Sequence, residues 1–339
     1  MKHLFILVFI ASMQYNLEAQ TAVEVLNKIS GEFTLINQKF VSYQSVMAHS
    51  NDVNQTEQKR QDLLSQVSKS RQIITEVAPY QGDPMLQNGI SEFLKLVEFN
   101  MNEDYEKLVD LREISEQSYD KMETYMLIKN QISDKMEKAS EEMTRVQKEY
   151  CKKYTITLLE SHGDLEKQIE TINQVGQYQD KLQLIFLKCS FLNDDLVEAI
   201  DKKNINETEQ LRSAMQKFAD EGMRTLDTMQ AFKGDRSLIN ACRKSMVFFE
   251  LQASRSAEFT DMFTQEENFN RIKQQFESDK SRQNDKDAVK KYNEAVESMN
   301  KAVNSTNKTN DYINKSRKET YDNWNNATKV FLDRHVPLV

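Results

Sequence analysis

Apolar side chains recur at three- and four-residue steps along almost the whole chain. Val23, Leu26, Ile29, Phe33, Ile36, Phe40, Tyr43 and Met47 predict a first amphipathic helix. The pattern stops at His49-Ser50-Asn51-Asp52. A second helix is expected over 54–77, then a turn through Pro79, Gly82, Asp83 and Pro84. Asp83 reads as the N-cap of a third helix reaching about residue 112, with Pro84 in its first turn. Ile132, Met136, Ala139, Met143, Val146 and Tyr150 alternate steps of four and three, the seam of a fourth, coiled-coil-like helix.

After breaks at Thr155-Ile156-Thr157 and His162-Gly163-Asp164 the pattern resumes. Leu182, Ile185, Cys189, Leu192, Leu196 and Ala199 predict a fifth helix, residues 205–229 a sixth, and Gly234-Asp235 the turn into a seventh. The last helix is the longest. Tyr292, Val296, Met299, Val303, Thr306, Asn310, Ile313, Arg317, Thr320, Trp324, Ala327 and Phe331 form its seam. Its length should be on the order of 65 Å at 1.5 Å per residue. Thr306, Asn310, Arg317 and Thr320 put polar groups on that seam, which predicts a half-exposed stretch.

The two halves echo each other. Val53-Asn54-Gln55-Thr56-Glu57-Gln58-Lys59-Arg60 matches Ile205-Asn206-Glu207-Thr208-Glu209-Gln210-Leu211-Arg212 at a separation of 152 residues. The same separation carries Gly82-Asp83 onto Gly234-Asp235 and Glu98 onto Glu250. Self-similarity at a fixed long period predicts one folding unit used twice. Farther on, Met136 matches Met299 at a separation of 163, so eleven residues enter the second copy, placed in the polar run 277–287. Three extra helical turns there would lengthen a helix without rotating its apolar face. The expected fold is therefore all-α: two tandem antiparallel four-helix bundles, 21–160 and 161–339, with long fourth and eighth helices. That connectivity places both Gly-Asp tips near the junction of the bundles, together with His162, Trp324 and His335.

Composition supports helices and narrows function. Only 7 Gly and 3 Pro occur in 339 residues, and 29% of residues are charged against 39% hydrophobic. A net charge of −8 argues against a nucleic-acid partner, which requires a concentrated basic face. Residues 1–20 read as a signal peptide: Lys2 and His3, an apolar run from Leu4 to Met13, and Leu17-Glu18-Ala19 before Gln20. The run is about half of a membrane span, so an exported protein without a transmembrane segment is expected. Cys151, Cys189 and Cys242 are an odd set. Helical rise separates Cys189 from Cys242 by about 10 Å, beyond disulfide reach.

Met47-Ala48-His49-Ser50, the stretch from Asn102 to Glu123, and the ending Asn323-Trp324 to Phe331-Leu332-Asp333-Arg334-His335-Val336-Pro337 carry a family likeness. With the paired Gly-Asp turns they resemble an uncharacterised bacterial surface-protein family, first labelled in Leptospira and common in Bacteroidota. The likeness covers nearly all of the mature chain, and the final motif is its most specific part. It implies export and an all-helical body, and it brings no activity, ligand or catalytic residue.

The chemistry-bearing residues point the same way. No Glu stands three residues before His49, His162 or His335, and no Cys-x-x-Cys or His-Glu-x-x-His occurs, so no metal or other cofactor is expected. Carboxylate neighbours such as Glu141-Glu142 and Asp194-Asp195 point about 100° apart on a helix and share no site. Asp83 and Asp235 admit two readings, a shared cation at the junction or separate helix caps, and capping explains each with one residue. The apolar run Leu182–Leu192 carries Lys188 and is too short to span a bilayer. The resulting expectation is a non-enzymatic exported scaffold or interaction protein whose partner is a protein or an envelope component. The alternative is a ligand- or metal-binding bundle with a pocket at the junction, lined by Asp83, Asp235, His162, His335 and Trp324.

Overall fold

The computed structural model describes residues 9–11, 17–50, 52–104, 119–160, 163–278 and 280–339. The fold is all-α. Packing divides the chain into two compact units. One comprises residues up to Asp180 together with Lys329–Val339, and the other is Lys181–Thr328. The division thus falls inside two helices rather than at 160/161, and the last eleven residues belong with the first unit.

In the first unit α1 (Leu17–His49), α2 (Val53–Glu76), α3 (Met85–Phe99) and α4 (Tyr119–Lys153) pack in chain order. Their seams supply the core: Leu26, Ile29, Phe33 and Phe40 from α1, Leu63 and Ile74 from α2, Ile90 and Phe93 from α3, and Met136 and Tyr150 from α4. The Tyr150 hydroxyl donates to the Ala22 carbonyl at 3.4 Å, joining the end of α4 to the start of α1. A three-residue antiparallel ladder pairs β1 (Phe9–Ala11) with β2 (Leu158–Glu160). After α3 a π-turn covers Asn100–Asp104. The expected end of that helix near residue 112 lies outside the described residues.

The second unit uses α5 (Asp164–Asp201) from residue 181, α6 (Ile205–Thr228), α7 (Ser237–Arg255), α8 (Ala257–Glu277) and α9 (Lys286–His335) up to residue 328. Phe186 is its centre. It stacks on Trp324 at 4.7 Å and meets Tyr321 edge-on at 5.4 Å and Phe249 at 5.9 Å. A single seventh helix was expected, but it is interrupted at Ser256, which ends α7 and opens α8. The buried Ser256 hydroxyl donates to the Gln252 carbonyl at 2.7 Å. The polar run 277–287 does not lengthen a helix. It is the α8–α9 connection, with a 3-10 turn at Arg282–Asn284.

Corresponding elements keep the 152-residue spacing at both ends of α2 and α6 and at the starts of α3 and α7. The turns correspond as well. Gln81 and Gly82 have φ of 50° and 78°, Lys233 and Gly234 have 48° and 86°. Two successive positive φ angles make a tight turn in which glycine carries no Cβ penalty.

Candidate functional site

Asp83 sits where the turn enters α3. Its Oδ1 accepts from the Met85 amide at 3.0 Å, the first free N–H of α3, but the N-cap position is Pro84 and not Asp83 as expected, because the first helical bond runs to the Pro84 carbonyl. Its Oδ2 accepts from Lys153 Nζ at 2.8 Å and from the Tyr154 hydroxyl at 2.9 Å. Tyr154 in turn packs edge-on against Tyr80 and Tyr150, at 4.9 and 4.8 Å. The bond from Lys153 is the main cause holding the Asp83 carboxyl below its ordinary range. Both oxygens are therefore occupied by protein donors.

The Asp235 Oδ1 accepts from the Ser237 amide at 2.7 Å, and its backbone closes the turn with Phe232 through bonds of 3.0 and 2.8 Å. Trp324 is 5% exposed and belongs to the core of the second unit. His335 ends α9 with its ring 4.7 Å from Phe331. His162 lies outside the described residues.

Asp83 and His335, expected together, occupy opposite ends of α1. Asp83 is tied through Tyr154 and Tyr150 to Ala22, at the start of that helix. The C-terminal segment binds the other end. His49 Nδ1 faces Asp333 Oδ1 at 3.0 Å and Nε2 faces the Val336 carbonyl at 3.2 Å, while the Val339 amide donates to Ser45 Oγ at 3.2 Å. Both partners of His49 are acceptors, so each contact requires a proton on the ring nitrogen that makes it. Ala22 and His49 are 27 residues apart, about 40 Å of helix. The last eleven residues pack with the first unit, at the His49 end of α1. The stretches around His49 and Asp333 therefore meet each other.

Sequence reading missed a polar cleft in the second unit, formed where the α7–α8 interruption faces α5 and α9. Gln252, 1% exposed, turns a carbonyl Oε1 without a hydrogen-bond partner into it. Arg317 lines its rim, donating to Asn314 Oδ1 at 2.8 Å and Asn193 Oδ1 at 3.3 Å. Among the described residues Arg317 makes no ion pair, and burial draws its guanidinium below its ordinary value. The open volume is about 30 Å³. That accommodates ordered water and falls far short of an organic-ligand pocket. Of the seam positions expected to be half-exposed, Arg317 and Thr320 are, whereas Thr306 is buried and Asn310 exposed.

The three thiols are free and buried. Burial pushes Cys151 up to about 11 and Cys189 and Cys242 up to about 12, so they hold their protons at neutral pH and are poor nucleophiles. Among the described residues no cluster of three or more His, Cys, Asp or Glu is placed to hold a metal, and no helix is long and apolar enough to cross a membrane.

One surface stands apart from this closed packing. Phe259, Phe263 and Ile313 form a buried cluster covered by Ile200 and Ile205 at the α5–α6 turn. Lys203 in that turn bonds Glu266 of α8 at 2.6 and 2.8 Å. Beyond Glu266, α8 and α9 run on together for about 16 Å to Glu277. Phe276 stacks on Tyr292 at 4.6 Å and Phe269 approaches the same ring at 6.2 Å. Phe269, Phe276, Tyr292, Val296 and Met299 remain half-exposed along this two-helix arm, and Ile272 is buried. The eleven-residue difference between the halves falls between Glu250 and Met299, the stretch that contains this arm, and that length change was its sequence signal.

No protein-family model matches this chain, and neither a curated protein nor a solved structure matches it.

Proposed function

We propose that this is an exported, non-enzymatic helical scaffold of the cell envelope or surface, built from two duplicated antiparallel four-helix bundles, which docks a protein or envelope partner through the α8–α9 arm. The observation that carries the reading is the arm's seam. Along the α5 seam the half-exposed Ile185 and Leu192 alternate with buried Leu182, Cys189 and Leu196, whereas on the arm Phe269, Phe276, Tyr292, Val296 and Met299 all stand half in water and only Ile272 among the large apolar side chains is buried. An apolar strip of that kind on a charged helical surface marks an interaction site. The common 152-residue spacing of α2 with α6, down to their caps Asp52 and Asn204, supports the duplication. The occupied oxygens of Asp83 and the water-sized cleft at Arg317 favour no ligand chemistry.

The test is a cross-linked pull-down from envelope fractions, comparing the wild-type chain with one in which a short Gly-Ser turn replaces residues 267–299. Loss of envelope capture with the arm, while the rest stays helical, is the expected result. Equal capture by both chains would refute the docking role. Mature protein recovered from the cytoplasm beginning at Met1, rather than outside it beginning near Gln20, would refute export.

A further inference from the structure

The charges along the arm are sorted by height. Residues 271–293, the tip, contain seven Lys or Arg against four Asp or Glu. The base, 266–270 and 294–300, contains four Asp or Glu and no Lys or Arg. The tip charges include Lys290, whose side chain is 74% exposed, and the base charges include Glu297 at 68%. Lys203 pairs one base carboxylate, Glu266, and the pairs Lys290–Glu294 at 3.9 Å and Lys301–Glu297 at 2.8 Å lie within α9, so Glu267 and the sign of the gradient remain.

A gradient of this kind is self-complementary in one orientation only. Two arms laid parallel would set basic tip on basic tip and acidic base on acidic base. Laid antiparallel, each tip meets the other's base while the two half-exposed seams close on each other. We propose that a second copy of this chain covers the seam, the two arms pairing antiparallel about a twofold axis into a four-helix bundle. The pairing rests on the reading of the arm as a docking face and names its partner. Its form is isologous, the same patch on both copies, as twofold association requires. Helices with a 3-4 seam pack in this way, each filling the groove the other leaves open. The overlap, about 16 Å long and two helices wide, sits at the small end of specific interfaces, which fits reversible micromolar association.

Sedimentation velocity of the full chain, from low to hundreds of micromolar, should show a monomer–dimer equilibrium. Lys290→Glu with Lys291→Glu should weaken it at least about tenfold without loss of helicity, since both side chains lie on the exposed face. Adding Glu267→Lys and Glu297→Lys to that variant should restore it, both side chains being exposed at the base. Orientation is read by mixing a Ser281→Cys chain with a Gln265→Cys chain and adding a bismaleimide, the native thiols being buried. Tip-to-base cross-links across the mixture are expected, and tip-to-tip links from the Ser281→Cys chain alone would overturn the antiparallel arrangement. A monomer at every concentration, or a dimer indifferent to the charge reversal, would overturn the pairing. Either result leaves the envelope pull-down standing, so failure of self-pairing and failure of the docking role remain distinguishable.

Discussion

Asp83→Ala should destabilise the protein by about 2 kcal/mol. Its carboxylate accepts the Met85 amide, the first of α3, and losing such a bond costs on the order of 1 kcal/mol. Asp83 also accepts the Tyr154 hydroxyl in a part-buried bond, roughly another 1 kcal/mol. Lys153 is more than half exposed and adds little. Differential scanning calorimetry should resolve the loss as a shift of roughly 4–8 °C. The carboxyl of Asp83 is held below its usual range, first by Lys153 and then by the Met85 amide and Tyr154. A depressed carboxyl contributes stability that is fully present above its unfolded value and is lost as pH falls through its folded value. The gap between wild type and Asp83→Ala should therefore be constant near neutrality and narrow as pH falls below about 4. A gap that stays constant through the acid range would refute this account. Millimolar calcium should leave the wild-type melting temperature unchanged, and a rise abolished by Asp83→Ala would revive the cation reading.

Glycines supply a second contrast. At Gly222 an added Cβ would lie 2.8 Å from both Ile185 Cγ2 and Met246 Sδ, so Gly222→Ala should lose about 1–2 kcal/mol to overpacking despite the better helix former. Gly31, on the exposed side of α1 with nothing within 4 Å, should gain about 0.5–1 kcal/mol on becoming alanine, and urea titration of the two variants shows whether the signs differ. Phe331 is fully buried between Tyr178 and His335, so Phe331→Ala should cost about 3–5 kcal/mol and expose the C-terminal segment to carboxypeptidase. Proteolysis at the wild-type rate would show that the bonds to His49 and Ser45 hold the segment without Phe331.

Most helices were legible because a seam of alternating threes and fours is a local signal. Met136, Met143 and Tyr150 in α4, and Cys189 and Leu196 in α5, are buried where that spacing places them. A seam states which face is covered, not by what. The seam of α9 changes neighbours along its length: half-exposed at Tyr292 and Val296, buried beside Phe259 at Ile313, stacked on Phe186 at Trp324, and sealed against Tyr178 at Phe331. Nothing in the period marks the residue where one neighbour yields to the next, so the change of unit inside α5, after Asp180, leaves no trace in the pattern. The interruption at Ser256 was invisible for a different reason. A serine inside a helical pattern is ordinary, and Ser245, bonded back to Ala241 as Ser256 is to Gln252, leaves α7 unbroken.

The pair shared most faithfully by the two halves shows how like sequence comes to differ in energy. Arg60 and Arg212 each reach a glutamate three residues back, at 2.7 and 2.6 Å. Arg212 keeps 25% of its side chain exposed, and Glu209 has a second donor in Thr260. Such a surface pair contributes at most about 0.5 kcal/mol, and Arg212→Ala should be nearly silent. Arg60 is 8% exposed, and its Nη1 donates at 2.7 Å to the carbonyl of Met101. Met101 lies in the π-turn over Asn100–Asp104, and its oxygen accepts this bond from the guanidinium of another helix. Arg60→Ala removes that buried charged donor and opens space beside α3, a loss of about 2–3 kcal/mol. Arg60→Lys should recover only part of it, because one ammonium does not hold Glu57 through two bonds while reaching Met101. Equal losses at Arg60 and Arg212 in urea unfolding would mean that the shared ion pair, and not the carbonyl behind it, is what the first unit requires.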